Sequence, residues 1–314
     1  MSCPFCKEDA LNSDCRTWSR LGSSMKGLLS GYKFHHALMT RHVAKKGMTL
    51  ESGAYQLPDG QASGYIQGKY KHDKQHTASV KLDAIGGVEV RSRLENLLDV
   101  TGLSWSSRVT GGDAGGSDVA IEELDYLSKQ FAFGVGVHAN TFSKQSSTPV
   151  VEGTGSYSFG TSGVTVAAQG KAEPLTQKLV DYNVGAELVT DAGTATVKSY
   201  KRFTGLNASY FYKLLPELDA GVCVDTIGFN PHLYQAGTAY RLDRETTLKG
   251  KVNSLGTVST SVEHRLTNPR LKLGLSSSFD LTGPDRLVAH KFGLSVSYGD
   301  YGPGAMFGMG GGFH

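Results

Sequence analysis

The chain has 314 residues, a formal charge of only +3, and 40 glycines against 9 prolines. So small a positive excess argues against a nucleic-acid binder, and no run reaches the roughly 20 apolar residues that a membrane-crossing helix needs. With 39% hydrophobic and 19% charged residues, the composition suits many short strands and glycine-rich turns better than a soluble α/β enzyme.

The first residues, MSCPFCKEDALNSDC, lack the apolar core of a secretory leader, and Glu8, Asp9 and Asp14 argue against a cleaved, acid-poor presequence. Cys3 and Cys6 form a C-x-x-C, but Cys15 and Cys223 add no second pair at zinc spacing, so no metal is expected. Leu11, Cys15, Trp18, Leu21 or Gly22, Met25 and Leu28 or Leu29 recur at steps of three or four. That spacing predicts one amphipathic helix over residues 10–27, capped by Asn12 or Ser13. Arg16, Arg20 and Lys26 lie mostly off its apolar stripe. The stretch GLLSG, with Gly27 and Gly31 as pivots, reads as a hinge into the first strand.

From Tyr32 to Tyr298 the period changes to two. Leu271, Leu273, Leu275, Phe279 and Leu281 oppose Lys272, Gly274, Ser276, Ser278 and Asp280. Phe292, Leu294, Val296 and Tyr298 oppose Lys291, Gly293, Ser295 and Ser297. Similar segments recur upstream, as in Phe131, Phe133, Val135 and Val137 against Gly134, Gly136 and His138. Turn signals such as PDG at 58–60 and GPD at 283–285 break the run. Segmenting on them gives about nineteen strands spaced by about 14 residues, the length of a membrane strand plus a short turn. Residues 33–57 and 117–127 have mixed faces. An apolar face on every strand, opposite a small polar one, predicts an all-β fold: a closed antiparallel barrel in lipid. An odd strand count requires the first and last strands to pair in parallel. The organisation expected is an N-terminal segment over 1–31, a transmembrane barrel over 32–298 and a flexible glycine-rich tail over 299–314.

The chain resembles the eukaryotic porin family, which includes the voltage-dependent anion channel. The likeness rests on a helix running into SGYKFH, on TLKGKVNSLGTVSTSVEHRL, and on the final HKFGLSVSY; the family's nineteen-stranded member is a standard example of the fold. It implies an N-terminal helix inside the lumen and a last strand read by the outer-membrane assembly machinery. CPFC and the glycine-rich tail are extra to the family's pattern. The family often carries an acid on the lipid face of an early strand, where HTASVKLDA here places Ala78, Val80, Leu82 and Ala84.

The polar face carries the chemistry. Basic residues outnumber acids along it, and Lys69, Lys81, Arg91, Arg93, Arg108, Lys249, Lys251, Lys272 and Lys291 are the candidate anion pathway, with Arg16, Arg20 and Lys26 at a constriction. The resemblance and this bias together imply a voltage-gated, weakly anion-selective channel. Small anionic metabolites such as nucleotides would be its cargo, across the mitochondrial outer membrane. Two alternatives are a protein-import channel of that membrane, disfavoured by the positive balance, and a barrel kept as a structural subunit of a larger complex. No catalytic residue or cofactor is expected, GGDAGG and GTGSYSFG lacking the strand and helix of a phosphate loop. The expected partners are the lipid bilayer, those anions, and further copies or subunits of a membrane complex.

Overall fold

The computed structural model describes residues 17–34, 36–44, 47–56, 60–72, 75–112, 119–140, 148–228, 230–282 and 290–299. CPFC, Arg16 and the tail from residue 300 lie outside them. Nineteen strands follow one another: β1 (Ala37–Val43), β2 (Met48–Gln56), β3 (Ala62–His72), β4 (His76–Asp83), β5 (Val88–Glu95), β6 (Leu103–Gly111), β7 (Val119–Leu127), β8 (Phe131–Asn140), β9 (Val150–Ser158) and β10 (Val164–Glu173) form the first half. The second half is β11 (Lys178–Val189), β12 (Gly193–Tyr200), β13 (Gly205–Leu215), β14 (Leu218–Ile227), β15 (Asn230–Arg241), β16 (Thr246–Asn253), β17 (Thr257–Leu266), β18 (Leu271–Asp280) and β19 (Lys291–Gly299).

Each strand pairs antiparallel with the next, and β1 closes the sheet on β19 in parallel, Ala37 opposite Ser295 and Arg41 opposite Gly299. The nineteen-stranded barrel expected from the alternation is therefore present, with the parallel seam that an odd count demands. Closure leaves no strand edge to aggregate.

The molecule is apolar outside and polar inside. Ile66, Leu82, Val135 and Leu275 stand 57%, 51%, 49% and 43% exposed on the outer face, whereas Ser259, Thr196, Ser276 and Asn183 are buried. Exposed aliphatic surface on this scale has to be covered, and only lipid covers every strand of a closed barrel. Aromatic pairs such as Tyr126–Phe131 and Tyr157–Phe159 stand near strand ends, where interfacial girdles belong. The inner wall is knitted by hydroxyl contacts, Ser259 to Ser278 and Ser276 to Ser261, both at 3.1 Å.

Ala78, Val80 and Leu82 do face outward on β4. The outward carboxylate lies elsewhere. On β7 the register sets Glu123 and Asp125 inside opposite Gly136 and Gly134, and Glu122 outside opposite Val137. Ile121 sits inside opposite His138, which is why this stretch shows mixed faces as a sequence.

Residues 10–16 of the single helix expected over 10–27, with its cap at Asn12 or Ser13, lie outside the described residues, and over the rest the structure departs from that expectation. A 3-10 turn, Trp18–Arg20, precedes one short helix, α1 (Ser23–Leu29). Gly22 between them has φ of 71°, a left-handed conformation that glycine adopts at little cost and that breaks a continuous helix. Of the two glycines expected to act as a hinge, Gly27 lies inside α1, and the chain leaves the helix at Ser30 and turns at Gly31, whose φ is 91°. The first strand, β1, begins at Ala37.

Candidate functional site: the barrel lumen

The segment from Trp18 to Phe34 lies inside the barrel against β9–β16, and the Lys33 N–H reaches Ser276 of β18. Its apolar side is small: Met25 and Leu28 are buried with Cys223 of β14 and Ala239 of β15, and Leu29 and Phe211 pack beside them. Three wall glycines make the room. A Cβ on Gly221 would stand 2.5 Å from the Met25 sulfur, one on Gly237 would stand 3.0 Å from Leu29, and one on Gly185 would stand 3.2 Å from the Trp18 ring. The alternation does not distinguish these glycines from others on the polar face, so nothing in the sequence marks them as a floor.

Polar contacts fix the rest. Lys198 donates to the Trp18 carbonyl at 3.1 Å and to the Leu21 carbonyl at 2.5 Å, with its ammonium 5.3 Å from the Trp18 ring centre. Lys249 donates to Gly27 and Ser30, and Lys251 to Leu29, so both sit at the end of α1 where carbonyls are left without helix partners. Lys251 also stands 4.6 Å over the Tyr32 ring. From the other side, Glu187, at 1% exposure, accepts the Gly22 N–H at 2.6 Å and the Thr196 hydroxyl at 3.0 Å. Burial pushes the Tyr32 phenol up to about 12 and lowers the Lys33 ammonium, with Lys272 adding to the latter effect. Both shifts report a packed linker rather than a solvated one.

All nine strand residues expected on the anion pathway face the lumen, and they fall into three groups. Lys249 and Lys251 hold the segment. Lys81, Arg91, Arg93, Arg108 and Lys272 are ion-paired: Lys81 with Asp83 at 2.9 Å, Arg91 and Arg108 both with Glu89 at 2.6 and 2.5 Å, Arg93 with Glu95 at 3.3 Å, and Lys272 with Glu263 at 2.9 Å. Lys69 and Lys291 are exposed to the lumen and make no ion pair among the described residues. Arg20 and Lys26 belong to the segment, the former exposed in the 3-10 turn and the latter in α1. Arg41, Lys171 and Arg265 share the polar face without having been expected there, as do Glu51, Glu123, Asp125 and Asp181.

At one end of the lumen, a cavity of about 300 Å³ opens among Phe34, Lys251, Asn253, Asp280 and Lys291. Among the described residues no cluster of His, Cys, Asp or Glu could hold a metal ion. What the arrangement offers chemically is a polar, charged interior narrowed on one side by a docked segment.

The chain is similar to known barrels over most of its length. It is 23% identical over 284 residues to the "Mitochondrial outer membrane protein porin 5" of Oryza sativa subsp. japonica, covering 89% of this chain and 96% of the relative. It is 35% identical over 96 residues to the "Probable voltage-dependent anion-selective channel" of Caenorhabditis elegans, 30% of this chain and 32% of that one. It is 27% identical over 180 residues to the "Outer plastidial membrane protein porin" of Pisum sativum, 56% of this chain and 60% of the relative. The sequence pattern described as "Eukaryotic porin" matches residues 16–293, so nearly the whole barrel and its docked segment are accounted for by one family, and the chain belongs to the eukaryotic porins.

Proposed function

We propose that the chain is a voltage-gated, weakly anion-selective channel that passes small metabolites and nucleotides across the mitochondrial outer membrane. The observation that carries this reading is the lumen itself: a closed nineteen-stranded wall, lined by hydroxyls and charges, with Lys69 and Lys291 exposed to it beyond the ion pairs. An ammonium that no carboxylate neutralises raises the local concentration of anions and lowers that of cations. The mitochondrial membrane is favoured by the name of the rice relative, and the pea relative's name sets the outer plastidial membrane against it.

Planar bilayers test the transport reading. With the full chain reconstituted across a gradient of dilute potassium chloride, the reversal potential should take the sign of anion preference, and conductance should fall at high voltage of either polarity. A cation-preferring pore blocked by basic presequence peptides would point instead to protein import. A protein that never conducts would mean a structural subunit. Import of the labelled chain into isolated mitochondria and plastids decides the membrane.

A further inference from the structure

The rim of the barrel at the start of β11 carries a basic corner that transport does not use. β11 is 12 residues long and β12 only 8, and their pairing stops at Gly185 opposite Lys198. The first residues of β11 therefore run past β12 with no partner on that side. Side chains from β12 and the turn after it cover the edge. The Ser199 hydroxyl accepts the Val184 N–H at 2.8 Å and donates to the Val184 carbonyl at 3.1 Å. Arg202 turns back across β11, giving its Nε–H to the Val180 carbonyl at 2.8 Å and its backbone N–H to the Asp181 carboxylate at 3.0 Å. To reach this position Lys201, Arg202 and Phe203 take φ of 51°, 58° and 66°, three consecutive left-handed residues, a conformation costly for side chains other than glycine.

The bends gather three cations. Lys178, Lys201 and Arg202 are exposed and make no ion pair among the described residues. Of the carboxylates on these strand ends, Asp181 shares the lumen face and accepts from the Tyr182 and Arg202 N–H groups and the Asn183 amide. Glu173, opposite Lys178 on β10, accepts the Thr176 hydroxyl at 3.0 Å. Three cations against two carboxylates leave a positive excess, and the Val180 bond uses one of the five N–H donors of Arg202. The side chains around the cations are apolar. Phe203 packs on Tyr182 with ring centres 5.5 Å apart, and Leu175 and Leu179 are exposed. Aromatic rings at a strand end mark the level of the headgroups, so the turn stands in the phosphate plane. Cations there attract anionic lipids, and a guanidinium fork takes two phosphate oxygens where an ammonium offers a point charge.

We propose that the turn between β12 and β13, together with Lys178, is a binding site for the phosphate of an anionic phospholipid at the membrane surface.

The test uses the full chain carrying Trp18→Phe, Trp105→Phe and Phe203→Trp, so that one indole reports on the corner. It is reconstituted into phosphatidylcholine vesicles in which the same fraction of lipid is either brominated phosphatidylglycerol or brominated phosphatidylcholine. The anionic lipid should quench the reporter more strongly, and the ratio of the two gives the preference of the corner for it. The Lys178 and Lys201 side chains hold no bond of the turn among the described residues, so Lys178→Gln and Lys201→Gln should keep the parent's melting temperature. Each should lower the preference severalfold, up to the about fivefold that one cation at a lipid surface contributes. Lys129→Gln, in the turn between β7 and β8 at the opposite rim, should change nothing. Inorganic phosphate added at matched ionic strength should leave the quenching as it was, since a free ion lacks the acyl chains that meet Phe203 and Leu179. The proposal is overturned if the two brominated lipids quench equally, or if both lysine variants keep the parent's preference. It is overturned equally if Lys129→Gln lowers that preference as much as they do, or if inorganic phosphate abolishes it.

Discussion

Glu187 is the residue on which the docked segment most depends. A carboxylate at 1% exposure holds its place only when its oxygens are engaged, and it takes the Gly22 N–H and the Thr196 hydroxyl. Gly22 points its N–H at the wall because its backbone is left-handed, so the contact joins a sharp bend in the segment to β11. Hydrogen bonds to charged groups contribute about 1.5–3 kcal/mol each, and Glu187→Ala should loosen docking by about that much. The chain's two tryptophans make this measurable: Trp105 lies on the outer face, and after Trp105→Phe the fluorescence reports Trp18 alone. Acrylamide should quench Trp18 more strongly in the Glu187→Ala variant, and equal quenching would show that the carboxylate does not hold the segment.

At the scale of elements, the turn between β15 and β16 is held by one side chain. Asp243 accepts the backbone N–H groups of Glu245 and Thr246 at 2.7 and 2.6 Å and the Thr246 hydroxyl at 2.9 Å. The Glu245 N–H, together with the Thr246 hydroxyl and N–H, holds its carboxyl below the usual carboxylate range. A group depressed in the folded state contributes stability above its unfolded pKa and loses it as pH falls through the folded one. Protection of the Glu245 and Thr246 amides from hydrogen exchange should therefore drop on acidification. Asp243→Ala should start from lower protection and lose that pH dependence; a variant with the parent's profile would refute the assignment. Most strands are legible in the sequence, because alternation on β18 and β19 states both strand and face. β7 is not, since Glu122 occupies an outer position that the pattern reserves for an apolar residue and Ile121 an inner one. The helix is legible only as a stripe. Its break at Gly22 comes from backbone conformation, and it docks on wall glycines that no periodicity marks.

Across the whole molecule the lumen is uneven in charge. Arg41, Lys69, Lys249, Lys251 and Lys291 lie on the strands either side of the β1–β19 seam, while Glu123, Asp125, Glu152, Asp181, Glu187, Asp219 and Asp225 lie on β7–β14. The segment, bringing Arg20 and Lys26, rests on part of that acidic side. Summing lysines and arginines along a sequence hides this, because the sum does not know which ammoniums are spent on helix carbonyls or carboxylates. Anion preference should then depend on particular lysines rather than on net charge. Lys69→Gln with Lys291→Gln should lower the anion-to-cation permeability ratio in a planar bilayer. Glu123→Gln with Asp125→Asn, which changes the sum in the opposite sense, should raise it. Lys249→Met with Lys251→Met should mainly release the end of α1 and alter gating, with a smaller effect on that ratio. All of these differences should shrink as salt rises from 0.1 M to 1 M, since the screening length falls from about 10 Å to about 3 Å, less than the distance from the wall to the middle of the pore. A ratio that follows net charge alone, with the Lys249/Lys251 pair acting as strongly as the Lys69/Lys291 pair, would refute the division of labour among the lumen lysines.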